Sequence, residues 1–127
     1  MTAYQQIIAF ISLLAFAGCG GKPEYNVVWR NATQEDINQV ATQIGTYDVL
    51  PANLGPGISR EHLFVNEPLP ESLTLSWEDN DGNPHSTIFT IDDDFRAALR
   101  TNTLVFEVRP SEAVMLIEDE ETRNTTN

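Results

Sequence analysis

The strongest constraint on the fold is a period of two. Leu73-Thr74-Leu75-Ser76-Trp77 alternates apolar and polar residues, which puts Leu73, Leu75 and Trp77 on one face of an extended strand. A run of turn residues follows, Asp79-Asn80-Asp81-Gly82-Asn83, and then a β-prone stretch, Ser86-Thr87-Ile88-Phe89-Thr90-Ile91. Glycine accepts positive φ without steric cost, so Asp81-Gly82 marks this as the clearest hairpin of the chain. A second hairpin is expected where Leu104-Val105-Phe106-Glu107-Val108 and Ala113-Val114-Met115-Leu116-Ile117 flank Pro110-Ser111-Glu112.

Residues 26–30, with Val27, Val28 and Trp29, give another strand. Pro68 and Pro70 bracket Leu69 ahead of a strand, where a missing N–H does little harm. One segment carries two signals. Ile37, Val40, Ala41 and Ile44 fall at helical spacing, with Thr33 placed as an N-cap and Gly45 as a stop. The same stretch alternates Val40, Thr42, Ile44 and Thr46, with β-prone Tyr47 and Val49 after it. Strand is favoured, because the neighbouring elements all need sheet partners. Residues 94–100 fit a single helical turn linking two strands. Strands at this spacing predict an all-β fold: a small, immunoglobulin-like Greek-key β-sandwich of about seven strands. The immunoglobulin hallmark, a cysteine pair around a core Trp, is absent from a chain with one cysteine.

Ahead of these strands, the first charged residue is Lys22. The apolar run over residues 7–17 is too short to cross a hydrocarbon core, which needs about 20 residues, but suits the apolar region of an export signal. It leads into Phe16-Ala17-Gly18-Cys19-Gly20-Gly21. This segment resembles the lipobox of bacterial lipoproteins, with Phe16 where that family usually has Leu. The resemblance implies that the Cys19 thiol receives a diacylglyceryl group and that the leader is cut just before it. Residues 1–18 are then a signal peptide, 19–24 a tether, 25–117 the sandwich domain and 118–127 an acidic, disordered tail. Gly20 is not an aspartate, so in a host with two membranes the family's sorting pattern permits the outer one. The implied location is the cell envelope, lipid-anchored and facing the periplasm. Beyond the leader, the Leu54-Gly55-Pro56-Gly57, Pro68-Leu69-Pro70 and Trp77–His85 stretches look like those of small bacterial lipoproteins with a β-sandwich domain. That likeness implies a fold and no activity.

Chemistry is sparse. Nineteen acids against seven bases in 127 residues leave a net charge of −12, which repels phosphate backbones and argues against nucleic acid as a partner. One cysteine excludes an intramolecular disulfide framework and multi-cysteine metal sites. Glu78, Asp79, Asp81 and Asn83 gather oxygens of the kind Ca²⁺ takes, but no bidentate Glu completes an EF-hand loop, and turn chemistry explains them. Asp92-Asp93-Asp94 is a weaker second candidate. His62 and His85 lack a third ligand at any fixed spacing. Ser59 and Ser86 lack a nucleophile elbow. Asn31-Ala32-Thr33 and Asn124-Thr125-Thr126 fit a glycosylation sequon, a pattern of little weight in a bacterial setting. Trp77 is expected in the core, whereas Trp29 is left as a possible interface anchor.

No catalytic constellation and no cofactor site are expected. The reading is a lipid-anchored envelope lipoprotein with a non-enzymatic accessory or protein-binding role. Two alternatives stand beside it: an acidic inhibitor or immunity protein that covers a basic enzyme or toxin, and a Ca²⁺-binding β module.

Overall fold

The computed structural model describes residues 24–45, 50–100 and 102–119. The expected signal peptide, Cys19 and most of the expected tether and tail lie outside the described residues, as do Thr46, Tyr47 and Val49.

The chain runs β1 (Tyr25–Asn31), β2 (Ile37–Thr42), β3 (Ala52–Leu54), β4 (Ser59–Val65), β5 (Ser72–Glu78), β6 (Pro84–Thr90), α1 (Asp93–Leu99), β7 (Thr103–Val108) and β8 (Ala113–Glu118). These strands form two four-stranded sheets, ordered β4-β1-β7-β8 and β3-β2-β5-β6. The all-β sandwich expected from the sequence is therefore the fold. Both expected hairpins are present: Trp77 pairs with His85 across β5 and β6, and Phe106 with Met115 across β7 and β8. Every pairing is antiparallel except β1 with β7, which run side by side in the same direction at the centre of their sheet.

Period-two burial builds the core. Val27 and Trp29 of β1, Leu73 and Leu75 of β5, and Leu104 and Phe106 of β7 all point between the sheets. Phe89 of β6 reaches across to Phe106, with ring centroids 5.8 Å apart.

The contested segment is a strand, and its geometry explains why it carries helical spacing. Gln39 has φ +54°, and the register of β2 slips there against both β3 and β5. A bulge inserts one extra residue, so the side chains on either side of it return to the same face. Ile37 and Val40, three residues apart, both enter the core.

The short helix α1 also follows from its sequence. Asp92 Oδ1 accepts the N–H of Phe95 at 2.8 Å, while Asp93 and Asp94 occupy the first turn, where negative charge suits the helix dipole. Leu99 is buried and fixes the helix against the core. Residue 118, expected as the first of an acidic tail, belongs to the last strand. Glu118 closes β8, and both of its carboxylate oxygens accept from the Arg30 guanidinium at 3.0 and 3.1 Å.

Candidate functional site

Three connections meet at one end of the sandwich: residues 32–36 between β1 and β2, the β5–β6 turn and the β7–β8 turn. They enclose an open groove of about 670 Å³. Each wall is held by a different local device.

The first wall rests on Asn31. Its side chain has no exposure to solvent. Nδ2 donates to the carbonyls of Glu35 (2.7 Å) and Leu54 (2.9 Å), and Oδ1 accepts the N–H of Thr33 at 2.9 Å. One amide thus satisfies three backbone groups and curls the loop back onto the sheet. The Ala32 N–H adds a bond to the Val108 carbonyl at 2.8 Å, tying this wall to β7. The Asn31-Ala32-Thr33 sequon accordingly offers no accessible acceptor; both amide hydrogens of Asn31 are already engaged.

The second wall is organised by Asp79. Oδ1 accepts the N–H groups of Asp81 (2.9 Å) and Asn83 (3.0 Å), while Oδ2 lies 2.9 Å from His85 Nε2. The His85 bond, then the backbone donors, hold the Asp79 carboxyl down at about 2. Gly82, at φ +85°, lets the turn close. The ring of His85 stacks on Trp77, centroids 5.4 Å apart and planes 12° apart. Trp77, Asp79 and His85 are therefore one preorganised unit facing the groove.

The third wall carries Arg109, Pro110, Ser111 and Glu112. Arg109 N–H donates to the Glu112 carbonyl at 2.7 Å, and Arg109 Nε donates to Glu107 Oε2 at 2.6 Å. Glu107 also accepts from Arg30 Nη1 at 3.2 Å, so Arg30, Glu107, Glu118 and Arg109 form one network across β1, β7 and β8. Burial pushes the Glu107 carboxyl up, but the hydrogen bonds from Arg109 and Arg30 outweigh it and leave it lowered. The Glu118 carboxylate in turn raises Arg30 above its ordinary value, against its partial burial.

Trp29, left as a possible interface anchor, is buried, and Trp77, expected in the core, packs against its border and lines the groove. Trp29 is only 1% exposed, donates from Nε1 to Thr42 Oγ1 at 3.2 Å and meets His62 edge-on at 4.4 Å. It is a core residue, not an interface anchor. Trp77 shares the core-facing parity of Leu73 and Leu75, but stands where the two layers open, so it is only partly buried and lines the groove.

The other sequence candidates scatter. Ser59 and His62 lie on β4 in one sheet, whereas Ser86 and His85 lie on β6 in the other and both line the groove. Neighbouring residues of a strand face opposite ways, which turns the Ser86 side chain away from the His85 ring. His62 Nε2 is buried with no hydrogen-bond partner, and its imidazole is lowered by burial and then by Arg60. Of the cation candidates, Asp79 spends both oxygens on its own turn, Asp92 caps α1 and Asp93 pairs with Arg96 at 3.0 Å. Among the described residues, no three His, Cys, Asp or Glu side chains gather in a group that could hold a metal ion. No described helix is long and apolar enough to cross a membrane.

No protein-family model matches the chain, and no curated protein matches it. Among solved structures, the chain is similar to the NMR structure of a protein from Eubacterium rectale. That likeness covers 80% of this chain and 94% of the other, with a TM-score of 0.52 and 12% identity. At that identity the shared property is the two-sheet fold.

Proposed function

We propose that this protein is a lipid-anchored, non-enzymatic binding module of a bacterial envelope, tethered through Cys19 and facing the periplasm. Its partner sits at the loop-end groove. The observation that carries this reading is how firmly the groove is built. Asn31 fixes one wall, the Asp79 carboxylate a second and the Arg109–Glu107 pair a third, so a partner would meet an ordered surface with little left to immobilise. Grafting recognition onto loops at one end of a rigid β scaffold is a general solution to binding. The resemblance of Phe16-Ala17-Gly18-Cys19 to a lipobox supplies the anchor.

Two measurements test it. Cells fed labelled palmitate should incorporate label into the wild-type chain and none into Cys19→Ala; equal labelling removes the anchor. A photo-crosslinker at Ser111 should trap an envelope protein that Glu112→Lys no longer recovers. If the same product forms with Glu112→Lys, the groove is not the binding site.

A second reading is favoured by charge. Glu35, Asp36, Asp79 and Glu112 border the groove with Arg109 as the fixed cation, in a chain of net charge −12. That suits an inhibitor or immunity protein steered onto a basic enzyme or toxin. Its association rate should fall steeply with salt; a rate independent of ionic strength defeats it.

A further inference from the structure

Two four-stranded sheets present four edges, and an open edge is a row of backbone donors and acceptors that native proteins blunt. Three of these edges are managed. β3 is three residues long, β4 carries Arg60 and Glu61, and β8 is half-buried after Ala113 and ends in the Glu118 carboxylate held by Arg30.

β6 is different. Among the described elements it bonds to β5 alone. Its residues, Pro84 to Thr90, include no lysine, arginine, aspartate or glutamate, and five of the seven are exposed. Ile88 is 70% exposed, a large apolar side chain at the middle of an uncharged edge. Seven extended residues span about 23 Å. Carboxylates close both ends of that span: Asp79 and Asp81 in the turn that enters the strand, and Asp92, Asp93 and Asp94 in the segment that leaves it.

We propose that the β6 edge docks an extended segment of a partner polypeptide by strand addition. The segment would be β-branched or apolar at its centre and would carry Lys or Arg at both ends. Backbone pairing supplies affinity that is indifferent to sequence, Ile88 supplies the apolar contact, and the two acidic ends select charge and length. The same ends select against a second copy of this chain. An antiparallel β6–β6 pair would bring Asp81 of one molecule against Asp92, Asp93 and Asp94 of the other, and like charges in opposition destabilise a pair. The first half of the strand also borders the groove, through His85, Ser86 and Thr87, but Ile88, Thr90 and the carboxylates of Asp92, Asp93 and Asp94 lie outside its lining, so the proposal stands whether or not the groove binds anything.

The test uses the full chain in detergent micelles and a synthetic peptide, Lys-Lys-Thr-Val-Thr-Val-Thr-Lys-Lys. Backbone amide shifts in ¹⁵N NMR should concentrate on residues 85–90, Pro84 having no N–H. Methylating alternate peptide nitrogens should weaken binding more than tenfold, since strand addition needs those donors. The double variant Asp81→Asn, Asp94→Asn should weaken it about fivefold, the value of two exposed ion pairs, and flatten its salt dependence. Ile88→Lys should weaken it as well; the position is exposed, and circular dichroism checks that the fold persists. Three results would overturn the proposal: undiminished binding of the methylated peptide, shifts confined to residues 32–36 and 109–112, or a dimer in sedimentation that Ile88→Lys abolishes.

Discussion

Replacing Asn31 tests how the groove is held together. Its amide donates to two carbonyls, those of Glu35 and Leu54, and accepts the N–H of Thr33, all from a side chain sealed from water. An intramolecular hydrogen bond contributes about 1 kcal/mol net, and a buried acceptor left without a donor costs about 1–3 kcal/mol. Asn31→Ala removes four bonds, the fourth from the Thr33 hydroxyl to Oδ1 at 2.7 Å, so a loss of about 3–4 kcal/mol is expected. Asn31→Asp keeps the acceptor for Thr33 but turns an oxygen, in place of a donor, toward both carbonyls. At neutral pH it should cost at least as much. Protonation gives that carboxyl one O–H to donate, so its folded pKa lies above the unfolded value of about 3.9. The defect is then fully present above the folded pKa and shrinks as pH falls through it. Urea titration read by tryptophan fluorescence measures both variants, with an unchanged slope confirming the same transition. The reasoning fails if Asn31→Ala loses less than about 0.5 kcal/mol, or if Asn31→Asp gains nothing relative to wild type between pH 7 and pH 4.

The remaining predictions concern separate parts of the molecule. Trp29→Ala should cost about 3–5 kcal/mol, and Trp77→Ala, at a position only partly buried, less, about 1–2 kcal/mol, as thermal or urea unfolding will show. Arg30→Met breaks the fork to Glu118 and the bond to Glu107, and should lower stability by about 1–2 kcal/mol, an effect that high salt shrinks. The Asp79 carboxyl is lowered from 3.8 to about 2 on folding, so its contribution is present above pH 4 and lost as pH falls toward 2. Asp79→Asn should flatten the acid limb of a stability–pH profile. His62 is lowered on folding, so the folded state favours its neutral form. Stability should decline as pH drops below about 6.5, and His62→Phe should remove that component, with the imidazole signals in NMR titrating below the ordinary range.

Much of the fold was legible because its signals are local. The Asp81-Gly82 turn needs no tertiary information, and neither does the alternation from Leu73 to Trp77. β2 kept both signals because a bulge at Gln39 returns Ile37 and Val40 to one face, which a reading of periodicity alone scores as helix. β3 and β4 escaped notice for another reason. Arg60-Glu61-His62 breaks the apolar pattern of β4, as suits an edge strand, and three residues are too few for β3 to show a period. The groove was less legible still. Asp79 stood out as an oxygen-rich turn, but Asn31 passed as half of a sequon; what makes it structural is a pair of carbonyls, one of them 23 residues away. How deeply Trp29 and Trp77 are buried was not legible in sequence, since both sit at inward strand positions. Only the third dimension shows which one stands where the layers part.

The placement of β1 also sets the order of events during synthesis. The first strand of the domain lies between β4 and β7, and its parallel partner arrives 77 residues later in the chain. Until that distant piece has been made, the earliest segment has one flank unsatisfied and no finished interior to enter. Contacts that span so much sequence form slowly. A chain of this design closes its first sheet only once nearly all of it is in place.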